Sequence, residues 1–263
     1  MKKELLRINH LNCTYTPTRK LENVSFCILE GECIGFLGLT YSGKDLLSGV
    51  LRGKLTEGKR VGTIYIDGQK IDDWEILNQK IYCLRPDNYI IEDWTVAEYL
   101  CLVDSGWSGA FWRRSRLEEE AEELFSEFDL MIEVSERMKK LSESEKRIVD
   151  IVKAYRQGAK IVIIEDEFEG MSQDDIIKFG KIMHRLIAGK MGVIINSNSN
   201  FISSALSDKY VIFNKGHIVK KCAREYIKTE EQLEQYLLGN KAMFLQAQNL
   251  RDMTMMWYTG SEI

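Results

Sequence analysis

The sequence predicts an α/β protein built on a mainly parallel sheet with helices on both faces. Three observations predict it. Short apolar runs alternate with amphipathic helical stretches along most of the chain, the pattern of strands joined by helical crossovers. One such run, residues 33–37, ends in a glycine and a phosphate-loop-like turn that opens into a helix. Residues 96–156 change character: they carry few strand signals and include an amphipathic helix over 117–128.

Each element follows from local pattern. Residues 4–9 and 24–28 are short apolar or alternating runs and read as strands, with Gly31-Glu32 as a turn after the second. Residues 33–37 are continuously apolar, as in a strand buried on both faces, and residues 46–51 look helical. Residues 62–67 alternate, and Asp67-Gly68 signals a hairpin. Residues 117–128 place Leu117, Ala121, Leu124, Phe125 and Phe128 on one helical face and acidic residues on the other. A strand over 160–164, a helix over 176–187 and strands over 193–195 and 210–213 follow. Lys215-Gly216 turns the chain into a last strand over 217–220. Residues 240–263 form a tail whose apolar end, Met253-Thr254-Met255-Met256-Trp257-Tyr258, could pack on the domain or on a partner.

Composition narrows the function classes. The chain has 263 residues, 44% hydrophobic and 29% charged, with a net charge of −4. That balance argues against nucleic acid as a partner, which a basic patch usually marks. No run approaches the roughly eighteen apolar residues of a membrane span. The start lacks the pattern of a signal peptide, so a cytoplasmic protein is expected. Six cysteines fit no metal or redox spacing and are expected to be free, mostly buried thiols. His10, His184 and His217 are expected to be solvated or structural.

The stretch Gly38-Leu39-Thr40-Tyr41-Ser42-Gly43-Lys44-Asp45 carries the chemistry. In the pattern G-x-x-x-x-G-K-[ST], backbone N–H groups and a helix N-terminus cradle phosphates, and the lysine adds a point charge. Two positions depart from a working loop. Asp45 replaces the hydroxyl residue that ligates Mg²⁺, and its carboxylate would repel phosphate unless a cation screened it. Tyr41 is bulky at a position unfavourable to it if φ must be positive. Taken alone, the segment is also compatible with a βα turn that only resembles a phosphate loop.

The neighbouring motifs extend the pattern. Asn23-Val24-Ser25-Phe26, Glu30-Gly31-Glu32, Gly62 through Gly68, Leu141-Ser142 with the run 148–154, and Asn214 through Val219 occur in the order and spacing of an ATP-binding-cassette (ABC) domain. Over roughly residues 4–239 the chain resembles that family. The resemblance implies a P-loop NTPase (RecA-like) cassette with an antiparallel β subdomain and an inserted α-helical subdomain. Residues 1–90 and 158–239 would form the nucleotide-binding core with its β subdomain. Residues 91–157 would form the helical, signature-bearing subdomain, and 240–263 the tail. The nearest subclass is the ribose/galactose-type sugar importers, and within it the second cassette of the tandem ATPases. Gly38-Leu39, Leu51-Arg52-Gly53 and Ser207-Asp208 carry that likeness.

Carried over position by position, the resemblance implies an eroded ATPase. Tyr15 falls where the family stacks adenine. Gly38, Tyr41, Ser42, Gly43, Lys44 and Asp45 would face the phosphates. Pro86 stands where a glutamine is expected and cannot ligate Mg²⁺. The signature reads Leu141-Ser142-Glu143-Ser144-Glu145, whose glutamates would repel a partner's triphosphate; Ser142 with Glu145 also fits a helix capping box. Glu165 falls on the Mg²⁺-organising aspartate, Asp166 on the water-orienting glutamate and Glu167 on a proline. A slip of one residue would instead make Asp166-Glu167 the pair, but would exchange the strand's faces. Without the slip Asp166 is one methylene short, and errors near 1 Å can cost about 100-fold in rate. Asn198 stands at the switch histidine. Asp45 and Glu165 are the candidate metal ligands.

The implied function is an ABC-type ATP-binding subunit of a sugar transporter that keeps the fold but lacks efficient hydrolysis, with a structural or regulatory role. A slow but active ATPase, with Asp45 on Mg²⁺ and Asp166 or Glu167 orienting water, and a stand-alone nucleotide sensor are the alternatives. ATP and Mg²⁺ are the implied cofactors. The implied partners are a second cassette and a membrane permease, which would hold the chain against the inner face of the cell membrane. Trp94, Trp107 and Trp112 are candidate permease contacts.

Overall fold

A computed structural model describes residues 2–16, 19–53, 59–73, 77–85, 88–101, 114–165, 171–197 and 199–239. The candidate residues Pro86, Trp107, Trp112, Asp166, Glu167 and Asn198, and the tail from 240 to 263, lie outside the described residues.

The chain opens with β1 (Glu4–Thr16) and β2 (Arg19–Leu29), an antiparallel pair. β1 also pairs antiparallel with β4 (Lys59–Ile66), and β4 with β5 (Gln69–Ile71), giving a four-stranded sheet in the order β2-β1-β4-β5. β1 runs well past the Asn9 expected from pattern. It is held on both sides and keeps burying Leu11 and Cys13 beyond that point. Its pairing with β2 is broken by several register shifts, which hide the period-2 alternation in the sequence.

The second sheet has six strands in the order β10-β9-β3-β8-β7-β6. These are β3 (Cys33–Gly38), β6 (Ile81–Leu84), β7 (Ile161–Glu165), β8 (Gly192–Asn196), β9 (Lys209–Asn214) and β10 (His217–Ala223). All neighbours are parallel except the final hairpin of β9 and β10. The central strands β3 and β8 are buried at every residue, which is why they read as unbroken apolar runs.

On β7 the pleat sends Ile161 and Ile163 to one core and Val162 and Ile164 to another. The first core is closed by the four-stranded sheet and α1 (Lys44–Leu51). The second is closed by α3 (Val96–Cys101), α4 (Arg114–Phe128), α5 (Glu143–Arg156) and α6 (Gln173–Ala188). On α6 Phe179, Ile182, Met183 and Leu186 are buried at helical spacing, each contributing roughly 1.5–3 kcal/mol. α2 (Leu77–Lys80) leads into β6 and α7 (Asn200–Leu206) packs beside β3. α8 (Glu230–Leu238) buries Leu237 against Leu37, Tyr210 and Ile212. The sequence pattern predicts no element at α2, α7 or α8: α2 and α7 carry too few turns for periodicity to show, and α8 buries Leu237 alone, so it has no apolar stripe.

One polar group ties the helical part to the sheet. Asp150 on α5 is 1% exposed and accepts hydrogen bonds from Tyr82 of β6 (2.7 Å), Tyr99 of α3 (2.6 Å) and Asn88 (3.1 Å). Burial and the adjacent carboxylate push both tyrosine hydroxyls far above the ordinary phenol range. The Lys153 ammonium lies 4.1 Å from the centre of the Tyr99 ring.

Candidate functional site

Parallel strands end on the same edge of a sheet, so the residues at their carboxyl ends become neighbours. Here four adjacent strands contribute in sheet order. β3 ends at Gly38 and runs through the loop into α1; β8 ends at Asn196; β7 ends at Glu165; β6 is followed by Arg85. Glu165 pairs in register with Asn196, which fixes both at the same height.

The loop has the shape a phosphate cradle needs. Gly43 sits at φ 109°, and a Cβ there would meet Leu21 at 3.0 Å and Gly216 at 3.1 Å. At Gly38 a Cβ would meet the Ser42 hydroxyl at 2.2 Å. Tyr41 has φ 64°, the left-handed region that penalises a side chain, and its ring is 70% exposed, so packing does not offset the strain. The Ser42 hydroxyl is buried and has no partner among the described residues. That orphaned donor, beside a lysine at a helix N-terminus, fits an anionic oxygen.

Lys44, however, is already engaged. It is 1% exposed, and its ammonium donates to Asp45 Oδ1 and to Asn196 Oδ1, both at 3.0 Å. Asp45 therefore lends the lysine the negative charge that a phosphate would lend. Asn196 turns its other end outward: Nδ2 lies 3.4 Å from Asp45 Oδ1 and 3.5 Å from Glu165 Oε1. The donor at Lys44 fixes which end of the amide is oxygen, so Nδ2 must face the carboxylates. The far oxygen of Glu165 meets Arg85 Nε at 3.3 Å and Arg52 Nη1 at 3.7 Å.

The expected metal pair, Asp45 and Glu165, is thus brought together but does not make a good cation site. Mg²⁺ takes oxygen ligands at about 2.0–2.1 Å in near-octahedral order. Here an N–H donor lies between the two carboxylates, and three protein cations already neutralise them. Among the described residues no group of three or more His, Cys, Asp or Glu side chains could hold a metal ion.

The signature segment is engaged in the same way. Ser142 caps α5 by accepting from the Glu145 N–H, and the Glu145 carboxylate accepts from the Ser142 N–H and hydroxyl, both at 2.8 Å. The helix N-terminus that would meet a partner's phosphate already carries a carboxylate. Ser144 donates to Asp175 at 3.0 Å, and Glu143 pairs with Lys146 at 2.8 Å. Hydrogen bonds from Ser172, then Ser144, hold Asp175 below the usual carboxylate range. Leu141 packs into the core at 8% exposure.

Tyr15 lies on β1, 43% exposed, with the Arg19 guanidinium 5.5 Å from its ring centre. Trp94 is half-buried. The sequence reading missed Asn196 and gave Arg52 and Arg85 no role. No local signal marks Asn196: only the sheet order sets the end of its strand beside the phosphate loop.

Comparisons with known proteins agree with this layout. The family profile described as ABC transporter matches residues 21–168. The chain is 25% identical over 245 residues to the xylose import ATP-binding protein XylG of Geobacillus kaustophilus, covering 92% of this chain and 48% of that protein. It is 24% identical over 238 residues to the lipopolysaccharide export system ATP-binding protein LptB of Escherichia coli K12, covering 89% of this chain and 97% of that one. Among solved structures it is similar to cbiO1 of Clostridium perfringens, part of the ABC transporter complex cbiONQ. That match has a TM-score of 0.73 and 16% identity, covering 94% of this chain and 100% of that chain. The chain spans about half the length of the sugar-import relatives it matches.

Proposed function

Since the chain belongs to the ABC transporter family, we propose that it is a transporter ATP-binding subunit whose own carboxylates stand where phosphates would bind, leaving a structural or regulatory cassette without efficient hydrolysis. One observation carries the reading: Asp45 neutralises Lys44 at the loop, as Glu145 neutralises the N-terminus of α5. Phosphoryl transfer depends almost entirely on positioning and charge stabilisation, and both halves of that arrangement are taken up internally.

Nucleotide, if present, binds weakly and must displace Asp45 from Lys44, with the orphaned Ser42 hydroxyl as a second contact. The chain acts beside a second cassette and a membrane permease, peripheral to the inner face of the cell membrane. Sugar import is the favoured transport class, resting on the names of the similar XylG, RbsA and AraG proteins; the likeness to LptB leaves an export system as the other reading. Residues 1–90 with 158–239 form the core and 91–157 the helical part in this proposal.

The test is Mg²⁺-dependent ATP turnover by the purified chain, alone and after adding its co-purifying permease, beside a thermal-shift titration with ATP. Turnover at background, with any stabilisation lost in Lys44→Ala, is the expected result. Mg²⁺-dependent turnover clearly above background and abolished by Lys44→Ala would overturn the proposal and favour a working ATPase using Asp166 or Glu167.

A further inference from the structure

We propose that this site works without a divalent cation, and that Asn196 is the residue that excludes one. The inference rests on reading the loop as a decayed nucleotide site, and it concerns which form of a phosphate ligand that site admits.

The geometry is specific. A cation held by Asp45 and Glu165 would compete with Asn196 for Asp45 Oδ1 and Glu165 Oε1. Asn196 Nδ2 is 3.4 and 3.5 Å from the two oxygens, and an amide N–H₂ has no lone pair to offer a metal. The amide cannot simply flip to present its oxygen, because Oδ1 accepts from the buried Lys44 at 3.0 Å. Asn196 is 2% exposed and ends a strand buried at all five residues, and the bond to Lys44 holds its side chain. Among the described residues Lys44, Arg52 and Arg85 pair with these two carboxylates, three positive charges to two negative. Each of the three cations would repel an arriving dication.

The same charge count suits an anion. With the carboxylates already paired, an incoming polyphosphate meets, among the described residues, more positive than negative charge, and the Ser42 hydroxyl. Metal-free ATP is therefore the preferred form over the Mg²⁺ complex, whose cation would face Arg52, Arg85 and the amide. Asn196 acts here as a specificity residue: it replaces a metal by a donor and holds Lys44 in place.

Two measurements test this on the intact chain. The first is Mn²⁺ binding without nucleotide, read by electron paramagnetic resonance, for wild type and Asn196→Asp. Wild type should show no saturable binding at millimolar Mn²⁺, while Asn196→Asp, which places a third carboxylate between the pair, should bind at least tenfold more tightly. The second is the ATP-induced shift in melting temperature of wild type, in excess Mg²⁺ and in EDTA. The shift in EDTA should equal or exceed that in Mg²⁺. Saturable Mn²⁺ binding by wild type that is lost in Asp45→Ala would overturn the proposal, as would a shift that requires Mg²⁺. The wild-type arms stand even if Asn196→Asp fails to fold. Metal binding without turnover would sink this inference and leave the loss of hydrolysis intact; metal-independent turnover would do the reverse.

Discussion

Asp150 offers the sharpest test of how the helical part is held to the sheet. Truncation by Asp150→Ala removes the only atoms that Tyr82, Tyr99 and Asn88 converge on. Each buried donor left unpaired costs about 1–3 kcal/mol. Asn88 is partly spared, since its amide also donates to the Cys83 carbonyl at 3.0 Å. The change gains back about 0.5 kcal/mol of helix propensity within α5. The net loss should be about 3–5 kcal/mol, the range seen when one partner of a buried charged network is removed. For a chain of this size that is a fall of about 10 °C in melting temperature. Tyr99→Phe, which removes a single donor to a charged acceptor, should lose about 1.5–3 kcal/mol. Replacing the network together, as Asp150→Leu with Tyr82→Phe and Tyr99→Phe, should cost less than Asp150→Ala alone, because both tyrosine donors leave with their acceptor and Asn88 keeps its bond to the Cys83 carbonyl. Urea denaturation of the three variants decides it. A loss below about 1 kcal/mol for Asp150→Ala, or a triple variant less stable than the single, would refute the reasoning.

Other outcomes are expected from the same structure. Burial raises the Cys27 and Cys33 thiols to about 12 and those of Cys101 and Cys222 to about 11. An unfolded thiol ionises near about 8.5, so between that pH and about 12 the unfolded chain holds fewer protons than the folded one and stability falls as pH rises; a urea midpoint unchanged between about pH 7.5 and 9.5 would contradict this. Ser142→Ala removes the side-chain arm of a capping box, leaving the backbone N–H that Glu145 accepts from, and should cost about 1 kcal/mol, read as a lower denaturation midpoint. Tyr41→Gly should stabilise by about 0.5 kcal/mol, because relief of the left-handed strain outweighs the added freedom of the unfolded chain. A loss of stability in that variant would mean that the exposed Tyr41 ring contributes packing.

The long elements were legible because burial writes itself into sequence. β3 and β8 are covered on both faces and read as solid apolar runs; α4 and α6 are covered on one and read at helical period. The loop around Lys44 and the cap at Ser142 were legible too, since a few residues in a row make each of them. Tyr41 even disclosed its strain, as a bulky side chain at a position that takes positive φ. The end of β1 and the helices α2, α7 and α8 were not legible: register shifts break the alternation of β1, α2 and α7 span too few turns, and α8 buries only Leu237 and so shows no apolar stripe.

The site divides along the same line. Sequence alone named Lys44, Asp45 and Glu165, because each sits in or beside a motif with a fixed spacing. What those residues do to one another was decided only by the sheet. Residues 44, 85, 165 and 196 are scattered along the chain, and strand order β3-β8-β7-β6 is what sets their ends side by side. An asparagine at the end of a strand carries no signal of its own. It becomes the centre of the site because the register places it opposite Glu165 and within reach of Lys44, where its amide meets an ammonium at one end and two carboxylates at the other.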